Sequence, residues 1–150
     1  MRLAFLFLTA FAGPAAAQEI MPCDWQASAQ SIVESWDENS RTFANGDVRL
    51  TNLDTIEPAV GFAYLMVQSP PYDELGGRQC AVVGAAAGIG FAGLEFDSLT
   101  AGYDPVVGLI FEVIVNVYDP DTDTAPRRFL NATLNQSTGE MIATVTADNS

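Results

Sequence analysis

The sequence predicts an α+β domain in which an N-terminal helix packs on a mainly antiparallel β-sheet. One stretch near the start has a helical period, nearly everything after residue 38 has a period of two, and turn residues recur between the apolar runs. The alternative is an all-β sandwich with one appended helix, because hairpin signals dominate the C-terminal half.

The helical signal lies in "CDWQASAQSIVESW". Trp25, Ile32, Val33 and Trp36 are spaced i, i+7, i+8 and i+11, a single stripe on a helix, and Asp24 stands where an N-cap belongs. Both tryptophans are thereby expected to face the core rather than a ligand.

The strands follow in order. Asn45-Gly46 between "RTFA" and "DVRL" is the strongest short hairpin signal. "AVGFAYLMVQ", residues 59–68, is apolar on both faces and bounded by Pro58 and Pro70, which reads as a central strand. "QCAVV" follows the loop "SPPYDELGGR". In residues 106–118, Val107, Leu109, Phe111, Val113, Val115 and Val117 fall on one side, against Ile110, Glu112, Ile114, Asn116 and Tyr118. Its expected hairpin partner is residues 127–135, joined by "DPDTDTAP". Ser137 to Glu140 then turns the chain into "MIATV". No repeat of solenoid length is present.

The first 17 residues read as a secretory signal peptide: a charge at Arg2, an apolar run from Leu3 to Ala12, a break at Gly13-Pro14 and an A-x-A site at Ala15-Ala16-Ala17. The apolar run is too short for a membrane span of about 20 residues. Residues 18–150 are then one exported globular domain, periplasmic or extracellular, with no stable membrane insertion after cleavage. The absence of lysine and the Ala-rich leader suit a GC-rich bacterium. Asn131-Ala132-Thr133 and Asn135-Gln136-Ser137 match glycosylation sequons, which matter only in a eukaryotic secretory pathway.

The full chain has a formal charge of −13. Cleavage removes Arg2, leaving five arginines against nineteen carboxylates, a formal charge of −14, with neither lysine nor histidine. A surface this negative repels phosphate backbones and anionic lipid, which argues against nucleic acid as a partner. Cys23 and Cys80 are an even pair with no histidine to activate a thiol and only Arg78 as a local cation, so an exported chain should join them in a structural disulfide.

Residues 82–96, "VVGAAAGIGFAGLEF", contain G-x-G-x-x-G at Gly88, Gly90 and Gly93, the spacing of a dinucleotide fingerprint. A dinucleotide site needs a helix next, but "LEFDSLTAGYDP" alternates like a strand, and Glu112 lies inside an apolar run rather than ending one. The glycines are therefore assigned to close packing or a bend, and no cofactor is expected.

Two carboxylate groups carry conceivable chemistry. Glu95 and Asp97 share a strand face under period two, and paired carboxylates in a cleft can hydrolyse glycosides. Asp119, Asp121 and Asp123 alternate in a loop, as calcium ligands do. The glycine and glutamate of an EF-hand loop are replaced by Thr124 and Leu130, however, and the flanking segments are strands. Without histidine or lysine the commonest general bases are missing. The leading expectation is a non-enzymatic exported domain that binds a protein, peptide or small ligand. A carboxylate hydrolase using Glu95 and Asp97 and a calcium-stabilised structural or adhesive module are the alternatives.

Overall fold

The structure is a computed structural model that describes residues 16–147, so all of the expected leader except Ala16 and Ala17 lies outside the described residues. Among the described residues ten strands form two antiparallel sheets: β1 (Ala16–Ala17), β2 (Glu19–Pro22), β3 (Ser40–Phe43), β4 (Val48–Asp54), β5 (Ala63–Tyr72), β6 (Arg78–Gly84), β7 (Gly93–Asp104), β8 (Gly108–Asn116), β9 (Arg127–Leu134) and β10 (Met141–Ala147). One sheet is ordered β2-β6-β5-β4-β3 and the other β1-β10-β9-β8-β7. Each is essentially a meander of sequence neighbours, so loop closure is short nearly everywhere. The chain changes sheets twice, at Gln18 between β1 and β2 and through residues 85–92 between β6 and β7.

The expected α+β fold is overturned, and the helix appended in the alternative is equally absent. Among the described residues the only helical structure is three 3-10 turns of three residues each, at Trp25–Ala27, Ala29–Ser31 and Ala44–Gly46. The backbone of the tryptophan segment bonds to a strand edge instead. β3 covers β4 only as far as Thr51, and the next positions on that edge are taken by Ile32, which bridges to Leu53, and by Val33, whose N–H donates to the Asn52 carbonyl. Ser28, Ser31 and Ser35 are weak helix formers, and four apolar positions in twelve do not outweigh ladder bonds. Asp24 makes no capping bond. Trp25 and Trp36 are 56% and 52% exposed, so they do not form the expected core-facing stripe, whereas Gln26 and Ser31 are buried.

Strand alternation predicts the core well. Leu109, Phe111, Val113 and Val115 of β8 and Leu130, Ala132 and Leu134 of β9 face Leu50, Leu65, Val67 and Val83 of the other sheet in one continuous apolar cluster. β8 and β9 pair in register from Leu109 opposite Leu134 to Asn116 opposite Arg127, as the hairpin reading expects. Phe43 of β3 packs against Phe111 of β8 at 5.6 Å between ring centroids, tying the edge strand of one sheet to the next-to-edge strand of the other.

β5 is indeed the central strand of its sheet, and both its faces are apolar for separate reasons. Leu65 and Val67 enter the intersheet core. Tyr64 and Met66 face outward with Leu53 and Val82; Met21 and Cys80 of the same sheet pack beside that outer cluster, and Cys23, Ala27 and Ile32 roof it. The strand runs four residues later than expected and includes Pro70 and Pro71. β4 pairs with it only to Gln68, and its pairing with β6 shifts register between Ser69 and Tyr72, so the prolines' missing donors leave no ladder bond unmade.

Cys23 and Cys80 are joined, with Cα atoms 5.3 Å apart, and the Cys23 N–H donates to the Cys80 carbonyl at 3.1 Å. The bridge pins the roof segment at its start. The two cysteines are 57 residues apart, and loop-closure entropy puts the stabilisation at about 4 kcal/mol. Replacing both cysteines by serine is therefore expected to lower the unfolding free energy by about 4 kcal/mol in urea titrations. Tryptophan fluorescence should shift before global unfolding as residues 24–36 lift from the outer cluster. An unchanged unfolding midpoint would refute this assignment of the bridge.

Candidate functional site

Glu95 and Asp97 do come to one cleft, by a route that alternation does not describe. β7 carries a large bulge: Glu95 stands opposite Ile114 but Thr100 opposite Glu112, so three extra residues are accommodated between them. Ser98 fills the gap in the ladder, its hydroxyl donating to the Glu95 carbonyl at 2.6 Å and accepting from the Ile114 N–H at 2.9 Å. The bulge turns both Phe96 and Leu99 into the core, three residues apart. Glu95 and Asp97 are consequently not equivalent neighbours on one regular strand face.

The cleft has a volume of about 680 Å³ and lies between the sheets at the flank where β3 and β4 approach β7. Val33, Leu94 and Phe96 supply its apolar lining. Asp37, Glu38, Glu95 and Asp97 supply carboxylates from two separate stretches of chain. Arg41 straps the two sides together: its Nη1 donates to the Leu99 carbonyl at 2.8 Å, and its guanidinium lies 5.5 Å from the centroid of the Phe96 ring. Asn39 and Asn52 complete the wall, the Asn52 Nδ2 donating a hydrogen bond to Asn39 Oδ1 at 3.0 Å.

Glu95 is already partnered. Arg127 Nε and Nη2 donate to its two carboxylate oxygens, both at 3.0 Å, a bidentate pair across 32 residues. Among the described residues no other carboxylate lies in an ion pair, so Asp37, Glu38 and Asp97 reach the cleft without a bound cation. Sequence reasoning missed Asp37, Glu38 and Arg41. The helical stripe read from the sequence stops at Trp36, and only the folded path around β3 brings the next two residues opposite β7.

The aspartate loop uses its side chains internally. Asp119 pairs backbone with Thr124, and its carboxylate accepts the Asp121 N–H at 2.9 Å. The Asp123 carboxylate accepts the Tyr118 hydroxyl at 3.0 Å. That hydrogen bond, then the negative charge of Asp123, pushes the exposed Tyr118 phenol above its ordinary pKa of 10.0. Among the described residues no three His, Cys, Asp or Glu side chains are grouped closely enough to hold a metal ion.

Gly88 and Gly90 lie in the crossover between the sheets, and Gly93 opens β7. Ala86 and Ile89 form a tight turn, Phe91 bridges to Ala63 of β5, and β7 follows at Gly93 with no helix. A Cβ on Gly90 would meet the Ala63 carbonyl oxygen at 2.5 Å and that of Gly61 at 2.7 Å. The crossover thus lies flat on β5 because Gly90 has no side chain. Tyr64 completes the contact, its hydroxyl donating to the Gly88 carbonyl at 3.3 Å. Burial pushes the Tyr64 phenol above its ordinary pKa of 10.0, while a backbone hydrogen bond at Gly90 pulls it down.

No family model, curated protein or solved structure matches this chain.

Two outcomes are expected from the crossover. Gly90→Val should lower the unfolding free energy by about 1 to 3 kcal/mol or more, and NAD, FAD or ATP should leave the wild-type melting temperature unchanged. A dinucleotide-induced rise that Gly90→Val abolishes would contradict the packing role. For Tyr64, a raised folded pKa contributes stability that is complete below the unfolded value of 10.0 and is lost as pH rises through the folded value. Urea titrations across that range should show a steeper fall for the wild type than for Tyr64→Phe, and parallel curves would contradict the assignment.

Proposed function

We propose that this chain is an exported, non-enzymatic binding domain whose cleft between β3, β4 and β7 receives a positively charged peptide or small ligand. The observation that supports this reading is the composition of the cleft. Apolar side chains lie beside Asp37, Glu38 and Asp97, and Arg127 is committed to Glu95. A cationic ligand with an apolar part would desolvate on Val33, Leu94 and Phe96 while its charge met the carboxylates. Exposed Trp36, adjacent to Asp37 in the chain, offers a further aromatic surface. The high negative charge of the chain would speed the encounter with such a ligand and exclude anionic competitors. Export rests on the leader pattern, and the disulfide is weakly consistent with an oxidising compartment.

No specific observation favours the hydrolase alternative. Both Glu95 oxygens are occupied by Arg127, and no other group in the cleft supplies a histidine or lysine base. Nor does the loop of Asp119, Asp121 and Asp123 favour a calcium module, since two of its carboxylates serve its own turn.

Calorimetric titration of the protein beginning at Gln18 tests the proposal, with an Arg- and aromatic-containing peptide and its Glu-substituted counterpart. The basic peptide is expected to bind at low ionic strength and weaken steeply between 50 and 300 mM salt, roughly as screening demands. The acidic one should not bind. The triple variant Asp37→Asn, Glu38→Gln, Asp97→Asn should lose at least about tenfold in affinity with its melting temperature retained. Equal affinity for both peptides, or binding unaffected by the triple variant, would reject the cleft.

A further inference from the structure

The strand that opens the described chain spans the expected processing site. Ala16 stands opposite Val145 and Ala17 opposite Thr144 of β10, and the Gln18 N–H donates to the Ala143 carbonyl at 3.1 Å. The chain then crosses to the other sheet, where Glu19 to Pro22 pair with Gly84 to Ala81 of β6. One residue later Cys23 is bonded covalently to Cys80. The Ala17–Gln18 peptide bond is thus held on one side by a ladder on β10 and on the other by a ladder on β6 and a disulfide.

We infer that folding closes this processing site, so that the Ala17–Gln18 bond is cut only while the chain is unfolded. This rests on the reading of Ala15-Ala16-Ala17 as a leader-cleavage site. Hydrolysis adds one water across the bond: hydroxyl to the Ala17 carbonyl carbon and a proton to the Gln18 nitrogen, and the carboxylic acid so formed passes its proton to the new amine, leaving a carboxylate and an ammonium. That nitrogen is the atom that donates to Ala143. Attack makes the Ala17 carbon tetrahedral, and proteases commonly engage the segments flanking a scissile bond as an added strand, which β10 already is here. Cutting therefore requires residues 16–18 to leave β10 by local opening. The Cys23–Cys80 bond and the β6 ladder limit how far the segment peels away. The chain must therefore reach the leader peptidase before the two sheets close. A precursor that folds and oxidises first keeps its leader.

The test uses the full 150-residue chain, refolded and oxidised, with purified leader peptidase in detergent and with pancreatic elastase, which cuts after alanine. Cleavage after Ala17, identified by intact mass, is expected to be at least about a hundredfold slower in the folded oxidised chain than in the chain held unfolded in the highest urea the enzyme tolerates. Val145→Pro removes an edge-facing donor opposite Ala16 and should speed cleavage of the folded chain while calorimetry shows a retained melting transition. Equal rates for folded and unfolded chains, or no acceleration in a folded Val145→Pro chain, would overturn the inference. The N-terminus of the exported protein separates the two readings. A start other than Gln18 removes the leader assignment, whereas a start at Gln18 with fast cutting of the folded chain removes only the closure.

Discussion

Everything in this molecule depends on two meanders burying their inner faces against each other. Neither sheet has another cover for those faces. Leu50, Leu65, Val67 and Val83 from one meet Phe111, Val113, Leu130 and Leu134 from the other, and all eight are at most 2% exposed. Burial of side chains this size contributes roughly 1.5 to 3 kcal/mol each, more than any surface pair in the structure can supply. The other features serve that contact or exploit its edges. Gly90 lets the crossover lie on β5, Arg41 and Phe43 close one flank, and the cleft is lined by residues beside the bulge in β7.

The second constraint is that β2–β6 is apolar on both faces while β7–β10 is covered on one only. Outward Tyr64, Met66, Leu53 and Val82 need a roof, and residues 23–32, stapled by the disulfide, provide it. Two ladder contacts on β4 and one covalent bond fix the segment's path. This explains how an irregular stretch can be ordered and why the tryptophans are left outside: Ala27 and Ile32 are the residues that reach the cluster. The same path carries Asp37 and Glu38 around to face Asp97, so the cleft's charge is a by-product of roofing the sheet.

Where one face is buried and the other wet, the sequence was legible. β8, β9 and β10, and the hairpin at Asn45-Gly46, follow from period two and turn chemistry. Residues 59–68 were legible as a central strand because both faces are apolar, although the prolines misplace its ends. The 3.6-residue spacing of Trp25, Ile32, Val33 and Trp36 misled, since four apolar positions fit a stripe by coincidence and an open edge on β4 is a tertiary fact. The bulge at Ser98 was equally hidden, because a hydroxyl replacing a ladder bond leaves no mark on hydrophobic period. The pairing of Glu95 with Arg127 and the approach of Asp37 to Asp97 join residues 32 and 60 apart, and local pattern carries no information at that range.

Native-state hydrogen exchange tests most directly whether one shared core holds both sheets. The account predicts that the amides of Leu65, Val67 and Val83 exchange in the same slowest class as those of Phe111, Val113 and Leu130, with one common dependence on denaturant. Two slow classes of clearly different opening free energy, one for each sheet, would contradict it.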